Sequence, residues 1–333
     1  MKIRFSRKSW GLICAAAIST SSYLVSTTFC HAEAIASRML TAQVTLTTSH
    51  SLALGEPIVL HYKVSNNSTA EQLSFEGGPH HQGWYRLSVT NAAGKQITAA
   101  MPKPSLDELY PQGLHQSPEI SLLPGGTIEG DIVATQALTM TRPGDYMLTL
   151  HIPVTYYLEP IGAWYPKGRP ANQVPITFSQ DYNFPLKVMP ADPKRLQATA
   201  ETLSHELQDV RYVGQSKALL AALSSLPETV ALPSWQALVL DPATPSAVLS
   251  EAVELLGGLR SPGAADLLGQ ALFDRAPAMG ANEDSVKASA RKAVAAMYNL
   301  GDDQMKQRLE QVYAQHGASR SDFLEAVTTS NPN

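Results

Sequence analysis

Leu249-Ser250-Glu251-Ala252-Val253-Glu254-Leu255-Leu256-Gly257-Gly258-Leu259 and Arg291-Lys292-Ala293-Val294-Ala295-Ala296-Met297-Tyr298-Asn299-Leu300 carry one apolar pattern written twice. A shift of about 41 residues places Ala252 on Ala293, Val253 on Val294, Leu256 on Met297 and Leu259 on Leu300, then Leu268 on Leu309 and Leu272 on Tyr313. This period is that of a helix-pair repeat. A shorter upstream copy, offset by about 33 residues, runs through Leu219, Leu220, Leu223 and Leu226 to Trp235 and Val239. Units of this kind stack on their neighbours and present a surface; they rarely carry chemistry.

The helical rhythm begins after Val188-Met189-Pro190-Ala191-Asp192-Pro193. Two prolines stop a strand there, Asp192 is a natural helix N-cap, and Pro193 suits the first helical position. So short a linker suggests a fixed angle between the domains on either side of it. Downstream, Leu196, Ala200, Leu203 and Leu207 form a first stripe, and Pro227, Pro233, Pro242, Pro245, Pro262 and Pro277 are read as turns between helices. Ser261-Pro262 and Gly301-Asp302 stand at equivalent stops of the two best copies, while Gly280-Ala281-Asn282-Glu283 is expected as an extended connection. Alanines around Ala288, Ala290, Ala293, Ala295 and Ala296 permit close helix approach, and Glu201, Glu206, Lys217 and Lys292 read as solvent faces. Residues 191–329 thus resemble HEAT or armadillo-like repeats, and the resemblance implies an all-α HEAT-like helical repeat domain.

Upstream of Pro190 the apolar period is two, the signature of strands with one buried face. Ile58, Leu60, Tyr62 and Val64 alternate with Val59, His61 and Lys63; Tyr85, Leu87 and Val89 come next, then Tyr146, Leu148, Leu150, Ile152 and Val154. Ile176 with Phe178, and Phe184, Leu186 and Val188, complete the set. Turns punctuate it at Asn66-Asn67-Ser68, Asn91-Ala92-Ala93-Gly94, Pro124-Gly125-Gly126 and Pro143-Gly144-Asp145. Leu54-Gly55-Glu56-Pro57 before a strand, the Asn66 turn after it, and Pro143-Gly144-Asp145-Tyr146 before the long strand resemble the Ig-like domains of bacterial secreted proteins. That resemblance implies an all-β Ig-like sandwich over residues 40–190, with Tyr146 at the tyrosine corner and Leu148 where antibody domains hold a cysteine.

The N-terminus reads as an export signal. Lys2, Arg4, Arg7 and Lys8 precede an apolar stretch from Trp10 to Ile18, and Ala32-Glu33-Ala34 offers small residues at −3 and −1, with cleavage after Ala34 or after Ala32. Ser19 to Ser22 interrupt the run before the roughly 20 apolar residues of a membrane span, so an uncleaved anchor is not expected. Both cysteines, Cys14 and Cys30, fall within residues 1–34, and Thr27 and Phe29 do not match a lipidation motif around Cys30. The mature chain is therefore expected to be periplasmic or secreted and free of disulfides.

The full chain has a formal charge of −4; without residues 1–34, 21 basic residues face 28 acidic ones, a charge of −7. No basic face for phosphate neutralisation emerges, which excludes nucleic acid as the expected partner. Three stretches carry aromatics outside a minimal sandwich: Gly77 to Tyr85 with Trp84 and Tyr85, Met101 to Pro118 with Tyr110, and Tyr156 to Pro166 with Trp164 and Tyr165. Exposed, such rings would stack on sugars or hold a protein partner; buried, they simply cover the sandwich ends. Adjacent His80 and His81 point opposite ways in a strand-like loop and lack a third ligand, so no metal or cofactor is expected. His205 lacks a second histidine four residues on, where Asp209 stands, and no nucleophile elbow, Walker loop or dinucleotide fingerprint occurs. A pair assembled only by folding, such as Asp181 with His151, is the remaining route to a site. The sequence points to a non-catalytic exported interaction protein serving another envelope protein, with carbohydrate binding through the loop aromatics, or an enzyme of dispersed site, as alternatives.

Overall fold

The computed structural model describes residues 39–75, 85–97, 120–138, 140–163, 173–210, 213–259 and 261–329. Ala32, Ala34, both cysteines, His80, His81 and His115 lie outside them.

Alternation of apolar and polar residues builds ten strands among the described residues. β1 (Leu40–Leu46), β3 (Val59–Asn66) and β8 (Thr127–Val133) form one antiparallel sheet in the order β1-β3-β8. The second sheet runs β2 (Ser51–Ala53), β10 (Ile176–Met189), β9 (Gly144–Pro160), β4 (Glu71–Phe75), β7 (Ile120–Leu122). β5 (Arg86–Asn91) pairs with the first half of β9 and carries β6 (Gln96–Ile97) outside it, while β4 pairs with the last residues of β9. Ile58, Leu60, Tyr62 and Val64 of the first sheet share a core with Leu73, Phe75, Leu148, Leu150 and Val154 of the second. Both inner faces are thereby removed from water, the main driving force for pairing two sheets.

Two expectations change here. β9 and β10 are each continuous, so Tyr156 and Tyr157 belong to a strand and the connection to β10 starts only after Pro160. Tyr156 is fully buried, its ring 5.9 Å from that of Phe75. Pro185 is tolerated within β10 because β2 pairs only with Lys187–Met189, leaving the proline on an open edge. At the start of β9 the Tyr146 hydroxyl donates to the Arg142 carbonyl at 2.7 Å. At the Asn66 turn, the buried Asn66 amide donates to the carbonyls of Glu71 and Leu122 and accepts from Ser68 N–H. The turn therefore ties β3 to the opposite sheet without leaving a buried polar group unsatisfied.

Eight helices succeed the strands among the described residues: α1 (Pro193–Gln208), α2 (Val213–Ser225), α3 (Glu228–Leu240), α4 (Ser246–Leu256), α5 (Pro262–Gln270), α6 (Glu283–Leu300), α7 (Asp303–Gln315) and α8 (Arg320–Thr329). Odd helices pack in series, α1 on α3, α3 on α5 and α5 on α7; even helices do the same from α2 through α4 and α6 to α8. The result is a two-layer stack. The 41-residue shift maps α4 onto α6 and α5 onto α7, and every paired position but one is buried in both copies. The exception is Leu300, 37% exposed at the end of α6, where its counterpart Leu259 is 9% exposed. The caps also correspond: the Ser261 hydroxyl accepts from Ala264 N–H and the Asp302 carboxylate from Met305 N–H, as Asp192 does from Lys194 and Arg195.

Three local expectations are corrected. Pro233 lies inside α3, near enough to its start to remove one intrahelical bond without ending it. The stretch through Gly280 is not extended: a π turn (Ala271–Arg275) and 3-10 turns (Ala276–Asn282) bridge α5 to α6, with Gly280 at φ +55°. Leu272, Arg275 and Ala276 are buried there, which holds the connection against the stack. Ala288 faces outward; Ala290, Ala293 and Ala295 make the close contacts.

Candidate functional site

β10 ends at Met189 and α1 starts at Pro193, so the first turn of α1 is delivered directly against the loop between β2 and β3. Gly55 turns that loop at φ +97°; a Cβ there would stand 3.2 Å from the Pro227 ring. The turn swings Glu56 inward, where its side chain is 6% exposed. Arg195 Nε donates to Glu56 Oε1 at 2.6 Å and Arg195 Nη2 to the Ser51 carbonyl at 2.6 Å. Ala53 N–H donates to Glu56 Oε2 at 2.7 Å, and the Thr199 hydroxyl lies 3.4 Å from Oε1. A buried carboxylate is tolerable only with such partners, and here both its oxygens have them. Around this link, Val59 and Val133 on the outer face of the first sheet join the apolar core of the helices.

Beside the joint lies a cleft of about 160 Å³, lined among others by Leu52, Glu56, Thr135, Leu138, Val188 and Ser225. It is small, and its lining mixes apolar side chains with Glu56, Thr135, Gln136 and Ser225. Within it the Glu56 carboxylate is engaged by Arg195 and Ala53 N–H.

Of the five aromatic candidates, Trp84, Tyr110, Trp164 and Tyr165 lie outside the described residues. Tyr85 is half-buried against the sandwich core, and burial raises its hydroxyl pKa. At the strand ends that flank these stretches, Phe75 opposes Tyr156 and Ile120, and Arg86 opposes His151.

Folding does bring His151 and Asp181 together, Nδ1 to Oδ1 at 2.6 Å, as opposed residues of β9 and β10. His61 and Asp131 repeat the arrangement across β3 and β8 at 2.9 Å. Each is a two-member pair on a solvent-facing strand surface. Among the described residues no group of three or more His, Cys, Asp or Glu is placed to hold a metal ion. Nor is any described helix long and apolar enough to cross a membrane.

Within the stack, Glu251 on α4 accepts from the Ser216 hydroxyl on α2 at 2.5 Å, and Glu254 accepts from Ser289 on α6 at 2.9 Å. One helix thus reaches both neighbours in its layer. Burial raises the Glu251 pKa, while the Ser216 hydrogen bond and Lys217 pull it back. Glu201, Glu206 and Lys217 are exposed. The Glu56–Arg195 joint was missed in the sequence because Leu54-Gly55-Glu56-Pro57 reads as a turn, and a turn motif does not say what its acid faces.

No protein-family model matches the chain, and no relative emerges among curated proteins. Among solved structures it aligns with native alpha-2-macroglobulin of Escherichia coli at 11% identity and a TM-score of 0.23, covering 88% of this chain and 25% of that one. A structure of the same E. coli protein from domain MG7 to its C-terminus aligns at 11% identity and TM-score 0.23, covering 88% and 62%. Methylamine-reacted Salmonella alpha-2-macroglobulin aligns at 12% identity and TM-score 0.23, covering 88% and 27%. The chain spans about a quarter of the length of the longer of these proteins. A TM-score of this size does not establish a shared fold.

Proposed function

We propose that the chain is a non-catalytic exported protein in which an Ig-like sandwich, residues 40–190, and a HEAT-like helical repeat domain, residues 191–329, form one platform for another envelope protein. The joint is the observation that carries this reading. A buried Glu56 gripped by Arg195, with Val59 and Val133 entering the helical core, holds sheet and stack as one body instead of two mobile beads. A binding surface that spans both halves is then already organised before a partner arrives, which lowers the ordering cost of association.

Further support is local. The Tyr146 hydroxyl bond to the Arg142 carbonyl has the form of a tyrosine corner, and the two-layer helix order has the form of a short solenoid. Stacks of this kind use one face of a helical layer for recognition. The paired His–Asp groups lie part-exposed on outer strand faces, where a non-catalytic role suffices.

Tagged mature protein crosslinked in envelope extracts should recover a discrete partner that an unrelated exported control of similar charge does not. Recovery of nothing above that control overturns the reading.

A further inference from the structure

The far end of the stack holds a second cavity, of about 200 Å³, that the joint does not use. Its walls come from five elements: Leu272 and Phe273 of the π turn, Pro277 of the 3-10 turns, Lys287 and Arg291 of α6, Tyr313 of α7, and Asp322 of α8. Lys287 and Arg291 are one helical turn apart and so share a face. Lys287 is paired with Glu283, whereas Arg291 is exposed and has no ion pair or hydrogen bond among the described residues. Tyr313 is 3% exposed, yet its hydroxyl has no hydrogen-bond partner among them. A buried hydroxyl left without a partner is costly, and such groups call for an explanation. Its ring is held edge-on by Phe273 and Phe323 at centroid distances of 5.0 and 5.1 Å, so it cannot swing out to water without breaking that packing.

These polar groups are peculiar to the last groove. The 41-residue shift puts Lys287 on Ser246, Arg291 on Ser250 and Tyr313 on Leu272, so the preceding groove has neither the cations nor the phenol. Leu272, in the place of Tyr313 one copy earlier, is about as buried as Tyr313, so packing alone does not require a phenol there.

We propose that this cavity binds the C-terminal residue of a partner polypeptide, its carboxylate held by Arg291 and the Tyr313 hydroxyl and its apolar side chain against Leu272 and Phe273. The assignment rests on the interaction reading above and names the chemistry of the partner. Guanidinium and hydroxyl are the donors that carboxylate recognition uses, and charge-assisted bonds are the strong ones. Burial pushes the Tyr313 hydroxyl up to about 12 even though Arg291 acts in the opposite sense, so it remains a donor at neutral pH. Asp322 accepts from Ser319 N–H and O–H through Oδ2, both at 2.7 Å. Its Oδ1 accepts from nothing among the described residues and suits the amide N–H of the incoming residue. The volume lies below the roughly 300–1,000 Å³ of sites that enclose drug-sized ligands, which matches one chain end and not a cofactor.

Fluorescence anisotropy with the full mature chain tests this, using a labelled hexapeptide ending in a free leucine carboxylate, its C-terminal amide, an amidated peptide with an internal aspartate, and N-acetyl-leucine as competitor. The free-acid peptide should bind saturably, and the amide and the Arg291→Gln variant should each weaken binding about ten-fold or more. Tyr313→Phe keeps the ring packing and removes the unpartnered hydroxyl, so it should weaken binding several-fold while leaving the unfolding midpoint equal to or above that of the wild type. Equal binding of acid and amide, equal binding of the internal-aspartate peptide, or an unchanged Arg291→Gln affinity overturns the proposal. N-acetyl-leucine carries the carboxylate, side chain and amide N–H assigned to the cavity and should displace the labelled peptide; no displacement even at large excess overturns the proposal. Crosslinking in envelope extracts separates the two levels: partner capture unaffected by Arg291→Gln sinks the cavity assignment and leaves the interaction reading intact, whereas loss of all capture in the wild type sinks the latter.

Discussion

Replacing Arg195 by Met should destabilise the protein more than replacing Glu56, its partner, by Gln. The reason is the asymmetry of burial: the Glu56 side chain is 6% exposed and that of Arg195 40%. Removing one partner of a buried pair costs about 3–5 kcal/mol because the other charge is left uncompensated. Water reaches Arg195, so the pair is only partly desolvated and the figure falls to about 2 kcal/mol. Loss of the Arg195 bond to the Ser51 carbonyl adds about 1 kcal/mol. Arg195→Met is thus expected to cost about 2–3 kcal/mol. Glu56→Gln keeps an acceptor for Ala53 N–H and leaves a guanidinium that water can solvate, for a cost of about 1 kcal/mol. In the double variant the orphaned charge disappears, so the two costs should fall short of their sum by about 1 kcal/mol or more. Urea unfolding followed by far-ultraviolet circular dichroism gives the three values. Calorimetry should show the single-residue Arg195→Met variant losing coincidence of the sheet and helix transitions. A cost below about 0.5 kcal/mol for Arg195→Met, or strict additivity in the cycle, would refute the joint as the element holding the two halves together.

Two further substitutions probe the stack. Glu251 has a folded pKa raised by burial, so its contribution is fully present below the unfolded carboxylate value and is lost as pH rises through the folded one. Glu251→Gln keeps a partner for Ser216 and should leave stability unchanged in acid but raise it at neutral pH; an equal or lower urea midpoint at pH 7 would contradict this. At Gly257 a Cβ would sit 2.7 Å from Ala293 Cα and 2.8 Å from the Ala293 carbonyl oxygen. Since backbone cannot yield as a side chain does, Gly257→Ala should force α4 and α6 apart and cost about 1–3 kcal/mol; a thermal midpoint equal to wild type would show that the contact is looser than drawn.

Local chemistry is what the sequence carried clearly. Alternation from Ile58 to Val64 foretold which side of β3 is buried, because a pleated strand sends successive side chains to opposite faces. Asp192, Ser261 and Asp302 foretold helix starts, because a cap needs only a short acceptor within three residues of a free N–H. Where a neighbour from elsewhere decides the outcome, the same reasoning failed. Tyr156 looked like a loop aromatic, yet Phe75, from a strand about eighty residues earlier in the chain, places it in the core. Pro233 looked like a turn, yet the burial of Ala231, Trp235 and Leu238 holds α3 through it.

Period and punctuation were therefore enough to divide the chain near Pro190 into strands and stacked helices, since both act through residues within a turn or two of each other. The pairing of Glu56 with Arg195, separated by 139 positions, and the meeting of Arg291, Tyr313 and Asp322 at the end of the stack were settled only by tertiary structure. No local pattern records which charge a buried acid will face or which hydroxyl will be left without a partner; those depend on where whole elements come to rest against one another.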